Sequence, residues 1–207
     1  VRSRGLGDVY KRQASGFATK RSMPTMYRTT LKKWWKAKGG RHKEEASSNI
    51  NVSSLNPKPS TVYLFCDEFT NYNDTQIGIK AVELLNKLGY EVIIPEHIES
   101  GRSWLSKGLI RKGKEIANKN IELLYPVVTS DTPLIGIEPS AILTFRDEYV
   151  DLATDDNFDK AKQLAAKVFM IDEFIAREID KGNISKEQFT TAEKLSLIHI
   201  SEPTRPY

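Results

Sequence analysis

Short, continuously apolar runs alternate with longer stretches of helical periodicity from Thr61 onward. The runs are Val62–Cys66, Val92–Ile94 and Leu134–Ile137. Strands of parallel sheets are buried on both faces and therefore read as unbroken apolar runs, and the crossovers between them are usually helical. The pattern predicts an α/β fold in which a parallel sheet of three or more strands carries helices on both faces.

The helical stretches have recognisable ends. Asn73 or Asp74 is expected to begin a helix that ends at Gly89, because glycine readily adopts the left-handed conformation at a helix end. Pro139 is expected in the first turn of a helix that starts near Ser140. We predict two more helices, a long one from Leu105 to Leu124 before Pro126 and a last one from Phe158 to Asp180 before Gly182. The apolar face of the first helix is predicted to comprise Ile77, Ala81, Leu84, Leu85 and Leu88.

Polar residues concentrate in the loops that follow the three strands, CDEFTNYND, EHIESGRS and EPSAILTFRDEY. In open α/β sheets, ligands bind beyond the carboxyl ends of the strands. One interpretation is a metal site, and the other is a set of ion pairs in which Arg102 and Arg146 bind the loop acids. The residues in question share this sheet edge but have no compact spacing: Asp67, Glu68, His97, Glu99 and Glu138.

Two single features in these loops have alternative interpretations. The SGRS sequence at residues 100–103 suits an anion at a helix N-terminus, or an ordinary cap in which Ser103 satisfies the first turn. Cys66 has the chemistry of a nucleophile, but it follows a strand and precedes Asp67 and Glu68, whose charges oppose thiolate formation. A small buried cysteine is the simpler interpretation.

Several function classes lack their sequence signals. The chain has neither the G-x-G-x-x-G pattern of dinucleotide-binding folds nor the G-x-x-x-x-G-K-[ST] pattern of a P-loop. One cysteine excludes an internal disulfide and is typical of a reducing compartment. No apolar run approaches the length of about 18 residues that a membrane span needs.

The two ends of the chain can be encoded by complementary DNA strands. Ser3–Gln13 reads SRGLGDVYKRQ, and one choice of codons for it has a reverse complement that translates as LSLIHISEPTR, the sequence of Leu195–Arg205. That DNA resembles a transposon-end sequencing adapter, so we expect residues 1–13 and 195–207 to be adapter-derived and the rest to be an internal fragment. Without them the net charge of +4 falls to about +1, which removes the charge argument for nucleic-acid binding.

A basic segment precedes the α/β region. Residues 20–43 contain nine Lys or Arg and no acid, and Tyr27, Leu31, Trp34 and Trp35 share one helical face. Such a helix contacts anionic lipid or nucleic acid, or it links two domains and packs its aromatic face on one of them. We predict a connector helix in 14–43, a linker in 44–60 and an α/β domain in 61–194.

Four motifs together resemble a known family. LFCDEFTNYND, GYEVIIP, SGRSWLSKGL and GIEPSAILTFRDEY are similar to the cysteine-rich CCG domain in the iron–sulfur part of FAD-linked 2-hydroxy-acid dehydrogenases, over about Gly16–Thr191. The family includes the glycolate oxidase iron–sulfur subunit and fused D-2-hydroxyglutarate or D-lactate dehydrogenases. The resemblance implies a bacterial oxidoreductase parent with FAD and 4Fe–4S clusters, in which a flavin domain, a ferredoxin-like module and a second CCG repeat are the partners of this repeat.

The resemblance also implies a location and a limited role. The parent is expected in the cytoplasm, or peripheral to the inner membrane through its electron acceptor alone, with no nucleic-acid partner. No residue of this chain is predicted to be catalytic. The alternative is a non-redox α/β module that recognises an anionic metabolite or a protein through Arg102 and Arg146.

This chain departs from the family pattern at the cysteines. Glu68 stands at the first cysteine position, Glu99 and Ser100 at the paired position and Ala141 at the last, while Cys66 lies two residues before the first. Thiolates hold iron–sulfur clusters, so we predict neither cluster nor metal at these four cluster-loop positions. The resemblance implies that the remaining signature residues keep the shape of the loops: Asn71, Tyr72, Arg102, Ser106, Lys107, Glu138, Ser140, Arg146 and Asp147.

Overall fold

The computed structural model describes residues 26–40 and 60–189. Four strands form one parallel sheet in the order β2-β1-β3-β4. The strands are β1 (Ser60–Leu64), β2 (Tyr90–Ile93), β3 (Leu134–Gly136) and β4 (Val168–Met170). The predicted α/β class with a parallel sheet is confirmed. Both adapter-like ends and residues 44–59 of the predicted linker lie outside the described residues.

Nine α-helices lie within the described residues, and a short 3-10 helix, Lys186–Gln188, follows them. They are α1 (Leu31–Ala37), α2 (Glu68–Tyr72), α3 (Thr75–Lys87), α4 (Arg102–Leu105), α5 (Ile110–Leu124), α6 (Pro139–Leu143), α7 (Glu148–Leu152), α8 (Asp155–Ala165) and α9 (Ile171–Asp180).

The apolar runs occupy the middle of the fold. Val62, Tyr63 and Leu64 of β1 are successive residues on alternate faces, and each is at most 1% exposed. Neighbouring β3 places Leu134 and Ile135, both fully buried, opposite Tyr63 and Leu64. Burial of consecutive residues requires cover on both faces of the sheet, which is why these strands have no polar alternation.

The connections reverse direction at one point of the sheet. The chain passes from β1 to β2 on one side, and then returns past β1 to β3 and β4 on the other side. Because such crossovers are right-handed, the reversal places the intervening helices on opposite faces. The loops after β1 and β3 diverge between these adjacent strands, and this switch point is where α/β sheets commonly hold ligands.

Two of the predicted helices are not continuous in the structure. The long helix is interrupted at Gly108, which has φ 73°, so that α4 and α5 are separate. The last predicted helix contains β4 between α8 and α9. The apolar spacing of Leu164, Val168 and Ile171 suits a helix face, but Val168 pairs with Leu134 in the sheet. This edge strand was not predicted.

Smaller differences concern the ends and faces of elements. Cys66 and Ile94 follow β1 and β2 rather than ending them, and Ile137 follows β3. On α3, Ile77 is 55% exposed and Leu84 is 37% exposed, so neither belongs to the buried face. Gly89 has φ 93° directly after that helix, as its predicted end requires.

The basic segment contributes α1, which packs on the α/β unit. Leu31 is fully buried and Trp35 is 4% exposed. The Trp35 indole N–H donates to the carbonyl oxygen of Val92 at 3.1 Å, and the backbone N–H of Lys32 donates to Asn71 Oδ1 at 3.1 Å. Tyr27 precedes the helix and is 42% exposed. Leu31 and Trp35 therefore contact the adjoining sheet domain, as one of the two interpretations of this segment predicted.

Candidate functional site at the carboxyl edge of the sheet

The first of the four cluster-loop positions is hydrogen-bonded to one of the paired positions. Glu68, the first residue of α2, accepts from the backbone N–H of Ser100 at 3.0 Å and from the Ser100 hydroxyl at 2.7 Å. Ser100 lies in the loop after β2 and is fully buried, whereas Glu68 is partly exposed. Both carboxylate oxygens of Glu68 are used, so the first two loops are joined by two charge-assisted hydrogen bonds.

Ser100 is also held from its other side. Its hydroxyl oxygen accepts from the backbone N–H of Arg102 at 3.1 Å, and its carbonyl oxygen accepts from the Tyr149 hydroxyl at 2.9 Å. Asn120 of α5 donates to that Tyr149 hydroxyl at 2.9 Å and to the carbonyl oxygen of Glu99 at 2.8 Å. Buried polar networks in which each member has partners fix a single geometry. Ser100 is thus fixed by the first loop, the third loop and helix α5.

The other two cluster-loop positions do not join this contact. The carboxylate of Glu99 is exposed and accepts from the Trp104 indole N–H at 3.0 Å. Ala141 is 1% exposed within α6 and offers only a methyl group. The structure therefore brings together Glu68 and Ser100 but gives Glu99 and Ala141 separate surroundings.

His97 positions the end of the first loop. Its Nε2 accepts from the backbone N–H of Cys66 at 3.2 Å, and Nδ1 lies 2.7 Å from the carbonyl oxygen of Ile98. These partners assign the proton to Nδ1, because a nitrogen that accepts cannot carry one. The imidazole ring lies 4.4 Å from the Phe65 ring, which contacts Phe145 edge-on at 5.0 Å. His97 is therefore a buried residue that orients backbone and rings.

Cys66 is a buried thiol, as the simpler interpretation predicted. It is 4% exposed, and its Sγ donates to Asn71 Oδ1 at 3.6 Å. Burial raises the pKa of the thiol to about 12; the ammonium of Lys32 opposes this rise and the charge of Asp67 adds to it. Thiolate is the nucleophilic form, so Cys66 has neither the charge state nor the access of a nucleophile.

Two of the loop acids begin helices. Asp67 accepts from the backbone N–H of Thr70 at 2.9 Å and from its hydroxyl at 2.5 Å. Burial raises the pKa of Asp67, and these hydrogen bonds act in the opposite direction. Glu138 caps α6 and accepts from the Ser140 hydroxyl at 2.6 Å. Both carboxylates thus serve as N-caps.

The predicted pairing of the arginines with the loop acids is wrong. Arg102 pairs with Glu148 of α7. Arg146 donates to the carbonyl oxygen of Val168 from Nε at 3.0 Å and pairs with Glu173 of α9, which lowers the pKa of that carboxyl. Glu148 belongs to the third loop but is not one of the predicted acids, and Glu173 lies beyond the loops. The loop acids accept from backbone, hydroxyl or indole donors instead.

The SGRS turn does not have the predicted Ser103 cap. Gly101, with φ 75°, is the N-cap residue of α4, and Ser103 lies inside the helix. Ser100 replaces the predicted Ser103 as the partner of the first turn, through the N–H of Arg102. The negative group next to this turn is the Glu68 carboxylate. The Ser100 N–H, the Ser100 hydroxyl and the Arg102 N–H of this turn therefore already have intramolecular partners.

The donor set does not fit an iron–sulfur cluster. The four cluster-loop positions present two carboxylates, a hydroxyl and a methyl group, where thiolates would be needed. The one nearby thiol is protonated and directed to Asn71. Within residues 26–40 and 60–189, no group of three or more His, Cys, Asp or Glu side chains is arranged to hold a metal ion.

Asn120 and Tyr149 are central to this edge, and the sequence reasoning missed both roles. Asn120 is fully buried, and Tyr149 is 1% exposed. Asn120 follows Ile116 by four residues and precedes Leu124 by four, so it lies on the apolar face of its helix. A polar residue in the middle of such a face needs a partner, and that spacing is the signal that identifies it.

Comparisons with known proteins show relatives among dehydrogenases. The chain is 29% identical to D-2-hydroxyglutarate dehydrogenase of Escherichia coli K12 over 110 residues, which are 52% of the chain and 11% of that protein. It is 23% identical to the Pantoea ananatis protein of the same name over 75% of the chain and 14% of that protein. The chain therefore spans a small part of these relatives.

A shorter relative is covered more fully. Lactate utilization protein A of Bacillus subtilis is 28% identical over 143 residues, which are 68% of the chain and 58% of that protein. No family model matches the chain, and no solved structure matches it. In the part of the chain that the structure describes, no helix is long and apolar enough to cross a membrane. The chain is thus similar to a limited region of D-2-hydroxyglutarate dehydrogenases and to more than half of a lactate utilization protein, in agreement with the resemblance of its motifs to 2-hydroxy-acid dehydrogenases.

Proposed function

We propose that this chain is a region of an FAD-linked, iron–sulfur-dependent 2-hydroxy-acid dehydrogenase of the glycolate, D-lactate or D-2-hydroxyglutarate type. The names of the relatives support the hydroxy-acid chemistry. The parallel sheet, with polar loops at its carboxyl edge, supports a domain derived from a cofactor-binding repeat. In the parent, FAD and 4Fe–4S clusters perform the electron transfer, and both lie in other domains.

Within that parent, the chain serves as a cluster-free CCG repeat that scaffolds the electron-transfer half. The contact between Glu68 and Ser100 is the observation that carries this proposal. A cluster would tie the loops together through thiolates, and here a carboxylate and a hydroxyl at two of the same positions tie them by hydrogen bonds. The repeat can thus keep its loop geometry without iron.

The proposed partners are the other domains of the same polypeptide: the flavin domain, the ferredoxin-like module and a second CCG repeat. The basic segment at 14–43 is proposed as the connector to the ferredoxin-like module, and residues 61–194 as the first CCG repeat. The buried contacts of Leu31 and Trp35 support such a connection, since they anchor α1 on the sheet domain. We place the parent in the cytoplasm, or at the inner membrane through its electron acceptor.

Anion recognition through Arg102 and Arg146 has less support. Each guanidinium has an internal carboxylate partner, Glu148 for one and Glu173 for the other. An incoming anion would have to displace these partners, so we do not propose the alternative binding module.

The full open reading frame tests the proposed parent. We expect a ferredoxin-type C-x-x-C-x-x-C pattern upstream of residue 14 and a cysteine- or histidine-rich motif soon after Thr191. Such motifs supply thiolate ligands at spacings typical of clusters. Native flanking sequence that contains neither motif would contradict the proposal.

A further inference from the structure

A groove of about 300 Å³ lies between α1 and the segment that follows β2, and none of the four cluster-loop positions lines it. Helix α1 supplies one wall and residues 94–97 supply the other. Its lining residues are Lys32, Lys33, Trp35, Lys36, Ile94, Pro95, Glu96 and His97.

Three of the eight lining residues are apolar and buried. Trp35 is 4% exposed, Ile94 is 1% exposed and Pro95 is buried. The indole N–H of Trp35 is already bonded to the carbonyl oxygen of Val92, which sets the orientation of the ring. A ligand against these residues would gain by burying its own apolar surface, since Trp35 and Ile94 have little exposed surface of their own.

The groove is positively charged. Three lysines and one acid, Glu96, are among its lining residues. The ion pairs found within the described residues involve other lysines, namely Lys80, Lys112, Lys119 and Lys181. Lys32 and Lys36 are four residues apart on α1 and therefore lie on the same helix face. The two ammonium groups can act on one bound carboxylate.

The side chain of Lys32 is partly buried. Burial lowers the pKa of Lys32, and the positive charge of Lys36 acts in the same direction, against an opposite influence of Cys66. A buried charge without a counterion is unfavourable. An anion in the groove would offset that cost and would favour the ammonium form.

We propose that this groove binds a small organic carboxylate, with the carboxylate between Lys32 and Lys36 and an aromatic or short alkyl body against Trp35 and Pro95. A volume of about 300 Å³ lies at the lower end of small-molecule pockets. Inorganic anions lack the apolar body that the walls would bury. A folded protein partner would need a larger surface than this groove offers.

Benzoate is the probe that tests this proposal. We expect benzoate, titrated into the full chain at pH 7 and followed by NMR, to shift signals of Trp35 and to raise the pKa of Lys32. Benzamide has the same shape without the charge, and phosphate has charge without the apolar body, so each should bind at least about tenfold more weakly.

Variants locate the site. Lys32→Met should weaken benzoate binding about tenfold, while Glu96→Gln should strengthen it about twofold because it removes the acid of the groove. Lys114→Met is the matched control, since Lys114 is exposed on α5 and lies outside the groove. It should leave binding unchanged.

Several results would overturn the proposal. If phosphate bound as tightly as benzoate, the groove would be only a cationic surface. If Lys32→Met and Lys114→Met lost benzoate affinity equally, benzoate would bind elsewhere. Binding of an acidic peptide without binding of benzoate would assign the groove to a protein partner instead. The Lys32 pKa in the unaltered chain provides a test that does not depend on how a variant folds, and no rise with benzoate would contradict the proposal.

Discussion

Removing the Glu68 carboxylate should destabilise the fold far more than removing its neighbour among the cluster-loop positions, Glu99. Glu68→Ala deletes two hydrogen bonds to Ser100, at 3.0 and 2.7 Å, and leaves the N–H of a fully buried residue without its acceptor. Hydrogen bonds to charged groups contribute about 1.5–3 kcal/mol each, and an unsatisfied buried donor costs about 1–3 kcal/mol. Since Glu68 is partly exposed, we expect a total loss of about 2–3 kcal/mol.

A double-mutant cycle isolates the contact. Ser100→Ala retains the backbone N–H but loses the hydroxyl, so it should cost about 1–2 kcal/mol, with a coupling to Glu68→Ala of about 1 kcal/mol. The assay is urea unfolding of the full chain, analysed only if the variants share one slope. Glu99→Ala is the control, because its carboxylate is exposed and has one side-chain partner, Trp104.

The control should lose less than about 1 kcal/mol. Equal losses in Glu68→Ala and Glu99→Ala, or additive effects of Glu68→Ala and Ser100→Ala, would refute the reasoning that this contact joins the loops.

Three further predictions concern the same edge of the sheet. Because burial raises the pKa of folded Cys66 to about 12, the unfolded thiol ionises first. Between about pH 9 and about pH 12 this difference should lower stability by about 1.4 kcal/mol per pH unit, and Cys66→Ala should remove this contribution in urea titrations, while the buried tyrosines Tyr90 and Tyr149 keep theirs. Arg146→Met should cost about 2 kcal/mol in thermal unfolding, since Arg146 also donates to the Val168 carbonyl oxygen. Arg102→Met removes a partly exposed ion pair without such a contact and should cost below about 1 kcal/mol; equal losses would contradict this. Gly101→Ala should destabilise more than Gly108→Ala, because both have positive φ but only at Gly101 does the added Cβ come within 3.0 Å of Ile116; calorimetric midpoints in the reverse order would contradict this.

The elements that could be predicted are those whose local signal agrees with their packing. Apolar runs at Val62 and Leu134 mark strands covered on both faces, and Gly89 marks a helix end. The edge strand β4 escaped prediction because Val168 continues the helical spacing of Leu164, and only the run Val168–Met170 signals a strand. Its strand state is set by pairing with β3, which is tertiary information.

The candidate site also has a part that the sequence predicts and a part that depends on tertiary contacts. The resemblance predicts that Glu68, Glu99, Ser100 and Ala141 occupy the cluster-loop positions, and the absence of thiols there follows from the residue types alone. Which of these positions contact one another depends on the loop geometry, so the pair of Glu68 and Ser100 was not predictable. The partners of Arg102 and Arg146 lie 46 and 27 residues away in the sequence. Helix and strand periodicity predicts contacts only between residues that are close in sequence.

The iron content of the anaerobically reconstituted chain tests the central claim most directly. After incubation with iron and sulfide and removal of excess reagent, the unaltered chain should contain no stoichiometric iron and no visible charge-transfer absorbance, because its cluster-loop positions supply no thiolate. A variant with cysteine at all four positions, Glu68→Cys, Glu99→Cys, Ser100→Cys and Ala141→Cys, is the matched comparison and should gain about four irons per chain. About four irons in the unaltered chain would contradict the account.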